Sequence, residues 1–358
     1  MKHYGIAGAG LTGSVIAREL AERGNKVTIF DERSHVAGNC HTERMHGIMV
    51  HAYGPHIFHT DNDEVWKYVN RFAVMRDMRY KVVAQSGGQH YSFPVNLLTI
   101  CQVFGCALTP AQARALVTAD AIDNPDNFEQ AAINAVGKTL YNRFFKTYTQ
   151  KQWGRHPSTL PVSVFKRLPV RLSHDDNYFY HKYQGIPEDG YTAMVERILD
   201  HRNIDLQLST KYDRLKQYDH VVWTGTIDSF FDYSEGELAY RTLSFEHHNV
   251  QGDHQGCHSV NFCDDSLPFT RCVEHKHFAP WEHHENSVVT FERSAEWQRG
   301  DIPYYPVRLA QEQAMLSKYL AMAAQLPAVT FAGRLGTYRY MDMDVTIAEA
   351  LKTAKQIM

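Results

Sequence analysis

The chain has 358 residues, 44% hydrophobic and 22% charged, with a formal net charge of -3. At about 100–200 residues per domain this length implies two or three domains of ordinary globular composition. The near-neutral balance excludes a whole-chain field that would recruit nucleic acid or anionic membrane. No apolar run approaches the roughly 20 residues of a membrane span, and the glycine-rich start is not a signal peptide, so a cytoplasmic location is expected.

The first elements read as strand, turn, helix, strand. Residues 3–7 form a short apolar run, Gly8-Ala-Gly-Leu-Thr-Gly13 a turn, and 14–23 a helix with Val15, Ile16 and Leu20 on one face. Residues 26–30 give the next strand, closed by Asp31. Gly8 permits the tight turn, Gly10 lets backbone approach a pyrophosphate, and Gly13 lets helix and strand pack closely. The helix N-terminus then faces the phosphates, and Asp31 is placed to accept ribose hydroxyls. A dinucleotide site is expected here.

Residues 97–149 are rich in Ala, Gln and Leu at helical spacing. Thr109-Pro110 is a helix start, and Asn127-Phe-Glu-Gln130 reads as a capping box. Residues 240–245, 258–262 and 287–291 alternate and are aromatic or β-branched, predicting an antiparallel sheet. A helix over 311–324, a buried strand over 329–331 ending at Gly333, and a helix over 345–357 close the chain. The fold class is mixed α/β. A Rossmann-like domain for the dinucleotide cofactor, identified below as FAD from two further segments, is expected over 1–78 with 186–235 and 310–358. A helical bundle spans 95–150, and an antiparallel-sheet substrate domain spans 79–94 with 151–185 and 236–309.

Cys40, Cys101, Cys106, Cys257, Cys263 and Cys272 contain no CxxC pair and are expected as free thiols. Among 21 histidines, His254 and His258 have helix-face spacing, but Gly252, Asp253, Gln255 and Gly256 around them give turn composition, and no metal is expected.

FAD is favoured over NAD by two segments at opposite ends of the chain. Glu32-Arg33 followed by Gly38-Asn39 resembles FAD proteins of the glutathione-reductase type, and Val329-Thr-Phe-Ala-Gly333-Arg334 resembles their second FAD contact.

Further segments are more specific. Tyr53-Gly-Pro-His56-Ile-Phe58-His59-Thr60, Tyr148-Thr-Gln-Lys-Gln-Trp153-Gly-Arg155, Lys166-Arg167-Leu-Pro-Val-Arg171, Asn177-Tyr178-Phe179, Phe269-Thr-Arg271, Pro303-Tyr304-Tyr305-Pro306 and Tyr340-Met-Asp342-Met343 run in order along nearly the whole chain. They resemble the UDP-galactopyranose mutases. The resemblance implies an isomerase of cell-surface polysaccharide biosynthesis, with reduced FAD attacking the sugar's anomeric carbon through N5 to give a flavin–sugar adduct. It also implies a reductant such as NADPH, a nucleotide-sugar substrate and a homodimer.

By the same resemblance Arg167, on a closing loop, Arg271 and His59 are catalytic. Phe144, Phe145, Tyr148, Trp153, Tyr178, Asn261, Tyr305 and Tyr340 join the two arginines around the substrate. Gly8, Gly10, Leu11, Thr12, Gly13, Asp31, Glu32, Arg33, Gly38, Asn39, His56, Phe58, His59, Gly333, Arg334, Tyr340, Asp342 and Met343 hold the cofactor. The residue types suit these roles: guanidinium forks and phenol hydroxyls for a diphosphate, aromatic faces for a base. Pro55, Cys40, Met341 and Asp344 depart from the family pattern and leave related substrates open, namely dTDP-fucose, UDP-N-acetylgalactose or a GDP-heptose. An amine-oxidase-like FAD oxidoreductase is the reading from another class.

Overall fold

The computed structural model describes residues 1–165, 170–212, 217–307 and 309–358. Its first sheet is entirely parallel, in the order Ile204–Gln207, Lys26–Phe30, His3–Ala7, His220–Trp223, Val329–Phe331. Distant parts of the chain thus meet in one sheet. The inner strands read as continuous apolar runs because helices cover them. Tyr4, Ile6, Val27 and Ile29 pack with Val15, Ile16 and Leu20 of the helix Leu11–Glu22, and with Ile347 and Leu351 of the last helix, Met343–Gln356.

The first helix begins at Leu11 rather than at 14. Gly10 is its extended N-cap, so part of the glycine turn already belongs to the helix. The capping box at Asn127 forms only by half. Asn127 Oδ1 accepts from the Gln130 amide at 3.0 Å, but Gln130 Oε1 accepts from the Asp126 amide at 2.8 Å. Thr109 and Gln112 make the reciprocal box ahead of Pro110–Val117.

A second sheet has seven strands, in the order Tyr305–Pro306, Tyr240–Gln251, Asn286–Glu296, Arg271–Glu274, Ser259–Phe262, Val82–Ser86, Gln89–Phe93. It is antiparallel except where Ser259–Phe262 meets Val82–Ser86. The paired strands Tyr240–Gln251 and Asn286–Glu296 run well past the expected 240–245 and 287–291. Their far ends are largely exposed on both faces, so the ladder continues after the hydrophobic alternation has stopped. Arg271–Glu274 is a strand that alternation did not reveal, because its terminal residues are charged and their partners lie elsewhere in the chain.

Helices Leu97–Phe104, Pro110–Val117 and Phe128–Leu140 lead through a π-helical turn, Tyr141–Phe145, into Lys146–Trp153. Such turns are frequent at functional sites. A small sheet joins Phe58–Thr60 and Met75–Asp77 through Tyr183–Pro187. All six cysteines are free thiols. Among the described residues no helix is long and apolar enough to cross a membrane.

Candidate active site

The glycine turn has the geometry its sequence required. Gly8 sits at φ +104°, and a Cβ on Gly13 would overlap the Gly8 carbonyl oxygen. Gly10 differs, since a Cβ there would meet nothing nearer than Gly38 Cα at 3.8 Å. That open lane lies over the first turn of Leu11–Glu22, where Leu11, Thr12 and Gly13 have no intrahelical acceptor for their amides. Asp31 Oδ2 accepts from the Ala9 amide at 2.8 Å and Oδ1 from the Arg33 amide at 3.0 Å, which fixes the carboxylate beside the lane. Each of its oxygens keeps a lone pair for a ligand hydroxyl.

Arg33 lies over the Tyr53 ring at 4.8 Å and donates through Nη2 to Asn39 Oδ1 at 2.9 Å. Its Nη1 is buried without a partner. Glu32 is exposed. The far end of the chain arrives at the same place, and a Cβ on Gly333 would stand 2.7 Å from Thr12 Oγ1. An open lane, a helix N-terminus and an orphaned buried guanidinium N–H together fit a dinucleotide cofactor.

From there a row of stacked groups leads outward. The Arg334 guanidinium lies 4.9 Å over the Tyr340 ring. Tyr340 stacks on Tyr305 at 6.0 Å, and Tyr305 stands 6.5 Å from Trp153. Arg334 Nη2 donates to the Met341 carbonyl at 2.8 Å, bending the loop that presents Tyr340. Asp342 is the N-cap residue of the helix that Met343 opens. Two departures from the family pattern are absorbed here. Met341 is buried, and Asp344 accepts from Thr60 Oγ1 at 2.9 Å, tying the helix to the strand of Phe58 and His59.

Arg271 forms the opposite wall. It pairs across the sheet with Asn261 on one side and Glu292 on the other. Its Nε and Nη2 donate to Glu292 Oε2 at 2.9 and 2.7 Å, while Thr270 Oγ1 donates to Glu292 Oε1 at 3.1 Å. Burial opposes the Arg271 charge, but Glu292 and then Tyr80, Tyr148 and Tyr305 outweigh it, so the guanidinium stays charged. Burial and then Tyr80 push the Tyr178 phenol up to about 12, leaving it a hydrogen-bond donor at neutral pH.

His56 and His59 are neutral. Burial, with Arg334 adding, lowers His56 to about 4. Its Nδ1 lies 2.8 Å from the Gly54 carbonyl, an acceptor only, so Nδ1 carries the proton. Burial also lowers His59, with Asp342 opposing and His181 adding. His59 stacks on Phe179 at 3.8 Å and its Nδ1 is buried without a partner.

Trp153 and Tyr148 pack on the outside of the helical core, whereas Phe144 and Phe145 are 1% and 4% exposed within it. In this structure the two phenylalanines belong to the cluster against which Tyr148 and Trp153 pack. Arg167 lies outside the described residues. Sequence reasoning passed over Glu292, Lys151 and Arg241. Lys151 Nζ donates to the carbonyls of Phe262, Asp264 and Phe269 at 2.6, 2.8 and 2.8 Å, binding the loop that leads into Arg271 to the helix of Tyr148 and Trp153. These partners are far apart in sequence, and no local signal marks them. His254 and His258 sit outside regular helix. Asp253, Glu274 and His277 do converge. There the Glu274 hydrogen bond outweighs burial and raises His277, which makes the group an ion-paired cluster.

Residues 143–340 match the model of the family described as UDP-galactopyranose mutase, and residues 6–72 that of an NAD(P)-binding Rossmann-like domain. A Klebsiella pneumoniae protein named "Probable UDP-galactopyranose mutase" is 51% identical over 100% of this chain and 95% of its own length. An Escherichia coli dTDP-fucopyranose mutase is 48% identical over 98% and 97%, and a Mycoplasma pneumoniae UDP-galactopyranose mutase 28% over 99% and 95%. Among solved structures, a reduced UDP-galactopyranose mutase superposes with a TM-score of 0.79 at 14% identity, covering 100% of this chain and 94% of that one. A putrescine oxidase reaches 0.59 at 12% identity over 99% and 98%. At those identities the structures speak for the fold alone.

Proposed function

The chain belongs to the UDP-galactopyranose mutase family, and we propose that it interconverts UDP-galactopyranose and UDP-galactofuranose with reduced FAD, in the cytoplasm and as a homodimer. The observation that carries this reading is Arg271, half-buried and held by the buried Glu292, facing a wall of phenols that ends at the cofactor lane. Gly8 to Gly13, Asp31, Glu32, Arg33, Gly38, Asn39, Gly333 and Arg334 would hold the cofactor, with Phe58, Asp342 and Met343 completing its surroundings. When bound and reduced, FAD supplies an electron-rich nucleophile for the anomeric carbon.

The chain's own groups do the rest. Arg271, joined by Arg167 as the resemblance implies, takes up the charge of the departing diphosphate and keeps it in place for return. Glu292 occupies only one edge of the Arg271 guanidinium, leaving Nη1 for phosphate oxygens. Tyr178, Tyr305 and Tyr340 donate to the same oxygens. Trp153, Tyr148 and Asn261 bound the nucleoside side, over Phe144 and Phe145. We assign to His59 the task of accepting or returning a proton, a reading supported by its unpartnered Nδ1 among the described residues. We assign the cofactor unit to 1–78, 186–235 and 310–358, the helical unit to 95–150 and the substrate sheet to the remainder.

A second reading, dTDP-fucose as substrate, rests on the near-equal identity of the two relatives, 51% and 48%. Anaerobic turnover of UDP-galactofuranose, dTDP-fucofuranose and UDP-N-acetylgalactofuranose by reduced and oxidised enzyme separates them. Conversion of one furanose, only when the flavin is reduced, names the substrate. Conversion of none by reduced, FAD-loaded enzyme overturns the reading.

A further inference from the structure

Arg241 is 6% exposed, yet only Nε of its three guanidinium nitrogens is hydrogen-bonded among the described residues. Nε donates to the Gln152 carbonyl at 3.0 Å and lies 3.2 Å from Ser294 Oγ. Neither Nη has an acceptor among the described residues. Glu296 is its register partner across the sheet, but no ion pair forms between them. Arg241 instead lines a cavity of about 200 Å³ together with Trp153, Gly154, Arg155, Glu296 and Val307. Burial lowers the Arg241 pKa, Glu296 opposes this, and Arg155 adds to it, so two cations share the space with one exposed carboxylate.

The Arg241 side chain is held in place while its two Nη groups open on the cavity, and a planar fork presented this way is matched by an oxyanion. The cavity shares Trp153 with the nucleoside side but lies away from Arg271. Glu292, which holds Arg271, and Glu296 lie on one strand, Asn286–Glu296. Their separation along it is about 14 Å at roughly 3.4 Å per residue. The cavity also abuts the C-terminal end of Lys146–Trp153, since a Cβ on Gly154 would stand 2.7 Å from Arg241 Nη1.

We propose that this cavity is a second anion site, taking a small oxyanion of the phosphate class between Arg241 and Arg155, beneath the end of the helix that presents Trp153. The inference stands on the cavity and does not depend on which sugar is converted.

The test is a titration of inorganic phosphate into full-length, FAD-loaded protein saturated with UDP, in low chloride, followed by calorimetry. UDP fills the diphosphate site, so phosphate reports on the cavity. One phosphate binds per chain. Arg155→Gln weakens it and Glu296→Gln tightens it, each by about threefold to tenfold, the effect of one unit charge a few ångströms away in a wet pocket. Arg241→Gln abolishes it. Because Arg241 also holds Gln152, the two exposed positions carry the decision if that variant fails to fold. Phosphate that binds only without UDP, or binding indifferent to both Arg155→Gln and Glu296→Gln, overturns the proposal. If UDP itself fails to bind while phosphate obeys the variants, the functional reading falls and the anion site stands.

Discussion

Glu292→Gln is the sharpest test of how the site holds its arginine. Glu292 is 1% exposed and takes two hydrogen bonds from Arg271 on Oε2. Breaking a buried ion pair outright costs about 3–5 kcal/mol, because the surviving charge is left uncompensated. Gln keeps an acceptor oxygen at the same place, so the loss falls to about 2 kcal/mol, the difference between charge-assisted and neutral hydrogen bonds. At about 2–4 °C per kcal/mol for a large domain, the melting temperature drops by about 4–8 °C. The freed Arg271 charge then meets the diphosphate without competition, and UDP binding tightens by about tenfold, or about 1.4 kcal/mol. Saturating UDP therefore recovers more of the melting temperature in the variant than it adds to wild type. Differential scanning fluorimetry of both proteins with and without UDP reads the two effects together. A variant that melts with wild type and shows the same UDP shift refutes the idea that Glu292 neutralises and orients Arg271.

Asp31→Ala loses the acceptor of two amides and the expected ribose contact, so flavin content after gel filtration falls several-fold; full retention removes Asp31 from the cofactor site. Trp153→Ala opens the row that ends on Tyr305 and raises the half-saturating substrate concentration with a smaller change in kcat, read by steady-state kinetics; an unchanged value takes Trp153 out of the nucleoside side. His277→Gln tests the ion-paired cluster by pH. The His277 pKa is raised above 6.5, so its stabilisation is full below that value and is lost as pH rises through the folded pKa. The melting-temperature gap between wild type and variant closes with rising pH across that window, and a gap that widens contradicts the assignment.

The opening βαβ unit was legible because its rules are local. The glycine spacing, the apolar stripe of Val15, Ile16 and Leu20, and Asp31 at a strand end all act within a few residues of one another. The same holds for the Thr109 cap and for the final helix, whose apolar period survives without its partners. Even so, the helix start moved to Leu11, since the glycine turn and the helix N-terminus share the same residues.

Tertiary structure decided what depends on residues distant in sequence. It seated Gly333 against Thr12, closed the parallel sheet with Val329–Phe331, and set the register that gives Arg271 a buried carboxylate. It placed Phe144 and Phe145 in the helical core, though an aromatic pair reads alike in a core and in a base site. Arg241 shows the same limit from the other side. Its residue type announces a charge, but only burial and the absence of an acceptor at Nη among the described residues make that charge unusual. Sequence determines the chemistry a side chain carries, and packing determines whether that chemistry has a partner, because desolvation and contact are properties of the folded neighbourhood.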